Sequence, residues 1–276
     1  MFTQLLNSDK NQTFIFIDGS YFCFYRYYSL LKWWKSAYPE TLIEDPYQNE
    51  IFVEKFKKTF IEHVKTIPKK LNIDKSVTPI LIVGKDCRRE NIWRNKLFDK
   101  YKANRTNEGF MGGPFFKMVY DENLFIDSGV KTILKHPQLE ADDCIALTTK
   151  YILEQNAQAD IYIITSDKDY LQLAGPRVKL FNLGYKELTD QKTSTGNPKC
   201  DLFCKIIMGD SSDNIPSVFP KCGPKTALKY YENQTLFLQK LFSCKEYSEQ
   251  FKLNSTIICF DDIPNDLKEE FMKSIL

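Results

Sequence analysis

The chain has 276 residues, enough for one large domain or two smaller ones with a substantial core. Its 43% apolar and 27% charged content is ordinary for a water-soluble globular protein, no apolar run reaches membrane-spanning length, and residues 1–11 lack a signal-peptide pattern. Eight cysteines without paired spacing fit free thiols in a reducing compartment, so a cytoplasmic protein with no membrane partner is expected.

In chain order, residues 13–17 are a short apolar run closed by Asp18-Gly19, the pattern of a buried parallel strand and its turn. Residues 20–35 are aromatic-rich and helical, and Trp33 and Trp34 are expected to serve packing. Residues 37–49 read as a loop. Residues 51–70 follow a helical period with Phe52, Phe56, Phe60 and Val64 on one face. His63 on that helix has no companion ligand and is expected to be solvated or packed.

A second strand spans 79–83 and ends near Asp86. Residues 88–105 are basic and expected to begin as helix: eight cations between Lys85 and Arg105 face only Asp86, Glu90 and Asp99. Residues 106–113 are loop-like, and an apolar pattern resumes over 115–134. Glu140, Asp142 and Asp143 then open an apolar-periodic run, as expected for a helix N-terminus, where the dipole favours acids.

A third strand, 161–165, is closed by Asp167 and Asp169, and a fourth spans 178–181. Strands alternating with helices predict an α/β fold with a mainly parallel central sheet flanked by helices. The expected division is an α/β domain over 1–183, carrying an insertion at 88–126, and a helical region over 184–276. Cys200 and Cys204 could share a helical face, but without partners they make a poor zinc site.

Asp18, Asp86, Asp167 and Asp169 follow strand ends, the edge where open parallel sheets bind ligands. Glu140, Asp142 and Asp143 could face that edge, and Asp210 and Asp213 add a final pair. Each alone reads as a turn former or cap. If all nine converge, the repulsion is large: about 4 kcal/mol for one pair at 4 Å and an effective dielectric of 20. Cations must relieve it, and oxygen-only donors select Mg²⁺, with Mn²⁺ as substitute, over zinc. Two such ions are the device of phosphodiester hydrolysis. A net charge of +2 argues weakly for nucleic acid, yet setting the nine acids aside leaves +11 elsewhere.

With these residues assembled, the chain resembles the flap endonuclease / 5′-to-3′ exonuclease family, in the phage branch of the T-even ribonuclease H kind. Glu140-Ala141-Asp142-Asp143, Thr165-Ser166-Asp167-Lys168-Asp169 and Gly209-Asp210-Ser211-Ser212-Asp213-Asn214-Ile215-Pro216 match its blocks in order. The resemblance implies a PIN-like 5′ nuclease fold, with Asp18, Asp86, Glu140 and Asp142 around one ion. Asp143, Asp167, Asp169, Asp210 and Asp213 would hold a second or act through water. It also implies that residues 94–105 form a helical arch, with Arg94, Lys96 and Tyr101 on DNA and Lys102 and Arg105 at the scissile phosphate. Gly223-Pro224-Lys225-Thr226-Ala227 resembles the helix–turn–helix that grips duplex backbone through Lys221, Gly223, Lys225 and Thr226, with an associated K⁺. Residues 217–222 are poorer in glycine than that motif, which weakens the K⁺ expectation more than the DNA contact.

The implied activity is structure-specific 5′ cleavage of flap or branched DNA, and of RNA primers on DNA, by a monomer working with replication proteins. Aromatics after Asp18 (Tyr21, Phe22, Phe24) could stack an unpaired base or serve the core. A PIN-type ribonuclease and a non-catalytic nucleic-acid-binding protein of the same fold are the alternatives.

Overall fold

Five parallel strands form one sheet in the order β3-β2-β1-β4-β5 in the computed structural model, which describes residues 12–40, 43–106 and 108–276. They are β1 (Thr13–Asp18), β2 (Ile80–Gly84), β3 (Thr132–Leu134), β4 (Asp160–Ile164) and β5 (Val178–Phe181). The signal-peptide expectation falls on residues 1–11, outside the described residues. β1 is central, with Phe16 beside Ile82 of β2 on one side and Ile163 of β4 on the other. Its unbroken apolar run is what a strand covered on both faces requires. Phe14 and Phe16 enter one layer, Ile15 and Ile17 the other, and all four are fully buried. β3 escaped the sequence reading because three residues at a sheet edge are too short to show a period.

On one face lie α1 (Gly19–Ala37), α2 (Glu50–Lys70), α3 (Gly113–Asp121) and α4 (Leu124–Asp127). Phe22, Phe52, Phe56, Phe60, Phe115 and Phe125 pack there against Ile15, Ile17 and Val83. The expected stripe of α2 is thus the buried one. Trp34 joins this core, whereas Trp33 is 39% exposed under the Lys55 ammonium. The other face is covered by α5 (Ala141–Gln155), whose Ile145 and Ile152 meet Phe14, Phe16 and Ile163.

The C-terminal part is helical as expected: α6 (Pro198–Met208), α7 (Pro224–Glu232), α8 (Gln234–Leu241), α9 (Lys245–Ile258) and α10 (Asn265–Ile275). Packing crosses the boundary drawn at 183, because Phe260, Ile263, Leu267 and Phe271 enter the same core as Phe14. Within 88–126, α3 and the start of α4 likewise sit in the core and do not stand off as an insertion. No helix among the described residues is long and apolar enough to cross a membrane.

The strand order places the functional edge. β1, β2 and β3 run outward to one side and β4 and β5 to the other, so the connections change face between β1 and β4. A crevice opens at the carboxyl ends of the strands at such a switch point. Asp18 closes β1 there.

Candidate metal centre

Asp18 ends β1 and caps α1, accepting from the Tyr21 amide at 3.0 Å. Asp86, just past β2, accepts from the Ser20 hydroxyl and from the Ala141 amide at 2.8 Å, tying α1 and α5 to one carboxylate. Two glycines permit that approach. A Cβ on Gly19 would lie 2.6 Å from the Gly84 carbonyl oxygen, and one on Gly84 would lie 2.9 Å from that of Ala141. Glu140, Asp142 and Asp143 bring carboxylate oxygens within 4.8 Å of one another at the start of α5.

The electrostatics show strain of charge. Burial, and then the Asp86 charge, push the Asp18 carboxyl up to about 7. Burial raises Asp86 as well, and burial with the Asp143 charge raises Asp142 well above the usual range. Glu140 goes the other way: burial would raise it, but Lys102 and then Arg94 outweigh that and hold it low.

Asp143 differs from its neighbours. It is fully buried, and its Oδ1 accepts from Arg94 Nη2 at 2.7 Å. Its Oδ2 accepts from Trp93 Nε1 at 2.9 Å, Arg94 Nη1 at 2.8 Å and the Glu140 amide at 3.1 Å. With both oxygens occupied, Asp143 anchors Glu140 and the first turn of α5.

Asp167 follows β4 on the exposed side and accepts from the Asp169 amide at 2.9 Å, and it lies close enough to Asp18 to raise that carboxyl. Lys205 of α6 bridges Asp169 and Asp210, 2.9 Å from the latter. Burial would raise Asp210, but Lys205 and Ser212 outweigh it and hold the carboxyl down to about 2. Asp213 is buried beneath Lys102 at 3.7 Å and Arg105. The nine expected acids thus line one edge.

Residues 94–105 do not form a helical arch, and the basic segment from 88 does not begin as an α-helix. Residues 88–105 make two short 3₁₀ turns, Arg89–Asn91 and Trp93–Lys96, and then irregular turns packed onto the acids. Arg94 is 2% exposed, donating Nη1 to Glu140 at 3.0 Å and Nε to the Ile257 carbonyl at 2.7 Å in addition to its pair with Asp143. Tyr101 is also buried, its hydroxyl donating to Glu140 at 3.0 Å. Neither offers a surface to DNA in this arrangement, because the acids take up both side chains. Lys96 is exposed, on Gln138.

Lys102 Nζ donates to Glu140. Its backbone takes a left-handed φ of 54°, and its amide donates to the Asp213 carbonyl at 2.8 Å. Arg89 grips the Lys102 and Arg105 carbonyls, Asn104 donates to Ser211 at 2.7 Å, and Asn214 donates to Lys100 at 2.9 Å. The Tyr-Lys-x-Asn-Arg and Gly-Asp-Ser-Ser-Asp blocks therefore clamp each other.

Lys221, Lys225 and Thr226 lie apart from the acids, exposed around Gly223 at the start of α7. A cleft of about 660 Å³ is lined from both regions, by Asp169 and Asp210 of the acids and by Pro224 and Lys225 of α7, with Lys168 and Lys192 also in its wall. Sequence reasoning missed Lys205, Ser20 and Tyr170, whose hydroxyl approaches Asp18 at 3.4 Å. Lys205, five residues before Asp210 on a helix, carried the faintest signal. Cys200 and Cys204 do share a face, with sulfurs 4.0 Å apart, and all eight cysteines are free. Asp261 pairs with Lys150 on the surface.

Comparison with known proteins agrees with this architecture. The family described as 5′-3′ exonuclease, N-terminal resolvase-like domain, matches residues 13–197. The 5′-3′ exonuclease of Buchnera aphidicola subsp. Schizaphis graminum is 36% identical over 65% of this chain and 58% of that protein. That of Buchnera aphidicola subsp. Acyrthosiphon pisum is 32% identical over 81% and 71%. The chain therefore spans less than two thirds of the first relative's length. T5 D15 protein, co-crystallised with metal ions, shares the fold with a TM-score of 0.64 over 96% of this chain and 98% of that one, at 17% identity. The bacteriophage T5 D15 flap endonuclease in a pseudo-enzyme-product complex with DNA and metal ions gives 0.63 over the same shares at 18% identity.

Proposed function

The chain belongs to the 5′-3′ exonuclease family, and on that premise we propose that it is a structure-specific 5′ nuclease that hydrolyses phosphodiester bonds of DNA flaps and 5′ ends. The observation that carries this reading is a charge imbalance. Nine carboxyl groups line the sheet edge, and Arg94, Lys102, Arg105 and Lys205 are the cations paired with them among the described residues, which leaves an excess of five acids over cations. An oxygen-only donor set with that excess fits two Mg²⁺ ions, with Mn²⁺ as substitute, better than zinc. Asp18, Asp86, Glu140 and Asp142 would hold one ion, and Asp167, Asp169, Asp210 and Asp213 the second. Asp143 acts through Glu140. Bound there, divalent ions would supply Lewis acidity at phosphoryl oxygens and make a bound water more acidic.

The chain's own residues do the rest. Lys102 and Arg105 bring two cations to the acids, where they can offset charge developing on a phosphate. Gly223 precedes α7 as a cap residue without a side chain, and Pro224 is the first helical position, so the helix presents free N–H groups to a duplex phosphate. Lys221, Lys225 and Thr226 flank that end. The 660 Å³ cleft gives the duplex a path from these donors to the acids. Phe24, 41% exposed, and Tyr21 are placed to stack an unpaired base, while Phe22 is core. A K⁺ at the α7 turn, action on RNA primers, a monomeric state, a cytoplasmic site and recruitment by replication proteins belong to the same proposal.

The test is a 5′-labelled flap duplex incubated with the protein and Mg²⁺, with EDTA and the Asp167→Asn variant as controls. Short labelled fragments ending near the junction, formed by the wild type with Mg²⁺ alone, are expected. Intact substrate under that condition would overturn the reading, and cleavage of single strands without junction preference would favour the ribonuclease alternative.

A further inference from the structure

Eight residues along α1 from Asp18, about 12 Å of helix, Arg26 is only 7% exposed, and its Nε has no hydrogen-bond partner among the described residues. No carboxylate among them pairs with its guanidinium; burial lowers its pKa, and the Tyr25 and Tyr185 hydroxyls oppose that shift. A buried cation without a counter-ion is costly, and an unsatisfied buried donor calls for an explanation.

Arg26 lines a cleft of about 480 Å³ between α1, the C-terminal half of α2 and the turn after β5. His63 and Lys70 of α2 add two more basic groups, and Tyr25 and Tyr185 add two aromatic walls. Among the described residues Glu62 is the one carboxylate lining it. His63 Nδ1 sits 2.6 Å from the Thr59 carbonyl oxygen, which makes Nδ1 the donor and leaves Nε2 for a ligand. Burial, and then the Arg26 and Lys70 charges, hold the imidazole below its usual pKa, while Glu62 opposes them. Basic groups that repel one another around a buried arginine form an anion site, and the volume suits a small ligand larger than phosphate alone.

We propose that this cleft binds the phosphate of a nucleotide, with Arg26 as the anchor, Lys70 and His63 as further donors, and Tyr25 and Tyr185 flanking the sugar and base. Tyr21 separates it from the acids: its hydroxyl accepts from the Leu183 amide at 3.0 Å, and its ring centroid lies 6.2 Å from that of Tyr25. The site does not require the nuclease reading.

The chain has two histidines, His63 and His136, so imidazole resonances followed against pH report the cleft without turnover. The whole protein in EDTA is titrated with inorganic phosphate, a 5′-mononucleotide or a short single strand. The nucleotide should raise the His63 midpoint by about half a unit or more, since an anion favours the protonated ring, and leave His136 unmoved. Arg26→Gln should abolish the rise, and the exposed Lys70→Gln should reduce it, which covers the case of an Arg26 variant that does not fold. A rise with the strand but not the mononucleotide assigns the phosphate to a nucleic-acid backbone, and a rise with both assigns it to a free nucleotide as well. No rise with either, an equal rise in Arg26→Gln, or inorganic phosphate acting as strongly as the nucleotide would overturn the proposal.

Discussion

Replacing Arg94 by methionine is the sharpest test of how the acidic edge is held. The arginine is 2% exposed and donates to Asp143 twice, to Glu140 once and to the Ile257 carbonyl once. Methionine keeps much of the stem but leaves Asp143 charged in a fully buried position. Breaking a buried pair on one side costs about 3–5 kcal/mol, because the remaining charge has no compensation. The Arg94→Met/Asp143→Leu variant removes both charges and should recover part of that loss. It should stay about 1–2 kcal/mol below wild type, because Trp93 Nε1 and the Glu140 amide lose an acceptor. Equilibrium urea unfolding at pH 7.5, followed by tryptophan fluorescence, measures all three proteins. A single variant losing less than about 1 kcal/mol, well under the cost of an orphaned buried charge, would refute the reasoning, as would a double variant less stable than the single one.

Lys102→Ala should slow single-turnover flap cleavage on the order of 100-fold while changing flap affinity less than about threefold; equal losses in both would remove Lys102 from the chemical step. In EDTA, stability should rise as pH falls from about 8 to 5. The Asp18 carboxyl, raised to about 7 by burial and Asp86, keeps in the folded state a proton that the unfolded chain, at its ordinary 3.8, has released. Mg²⁺ should flatten that slope, and melting temperatures that climb with pH in EDTA would contradict the sign. Lys205→Met removes the cation shared by Asp169 and Asp210 and should cost about 1–2 kcal/mol in EDTA, a partly screened pair, most of it restored by millimolar Mg²⁺. An identical loss with and without Mg²⁺ would show that Lys205 is only a packing residue.

The central strands were legible because a strand buried on both faces writes itself as an apolar run, and β1, β2 and β4 each do so before a polar turn, whereas β5 at the sheet edge interrupts its apolar residues with the exposed Lys179. The acids were legible for a topological reason: Asp18, Asp86 and Asp167 each follow a strand, and the carboxyl ends of parallel strands share one edge. Arg94 was not legible. In sequence it is one of eight cations in a polar stretch, which reads as a solvated face or a DNA-binding arch. What buries it is Asp143, 49 residues away, and the Ile257 carbonyl, 163 residues away. Tyr101 was misplaced for the same reason, since its partners are Glu140 and Asp213. A local period carries no information about such contacts, and residues 88–105 have no helical period strong enough to correct the error. The packing across residue 183 was not legible either, because α10 returns its apolar face to the core that holds Phe14, a contact between segments far apart in sequence.

The two cations on Glu140 are held in ways that suit different roles. Arg94 is closed on every side: its fork, its Nε and the ring of Trp93, 4.6 Å away, are all engaged in the interior. It can serve only as a permanent counter-charge. Lys102 has a fixed backbone, with its amide on Asp213 and its carbonyl on Arg89, but its side chain reaches Glu140 as a point charge on a flexible stem. Swinging that stem away breaks ion pairs without disturbing the turn. Together with Arg94 and Arg105, Lys102 lowers the repulsion among Glu140, Asp213 and Asp142. Divalent charge bound there would make that role redundant and would free the ammonium for a phosphate. A left-handed φ at a non-glycine residue costs about 1 kcal/mol, and it is sustained here because it delivers this one side chain, on a rigid turn, to the junction of the two acidic blocks.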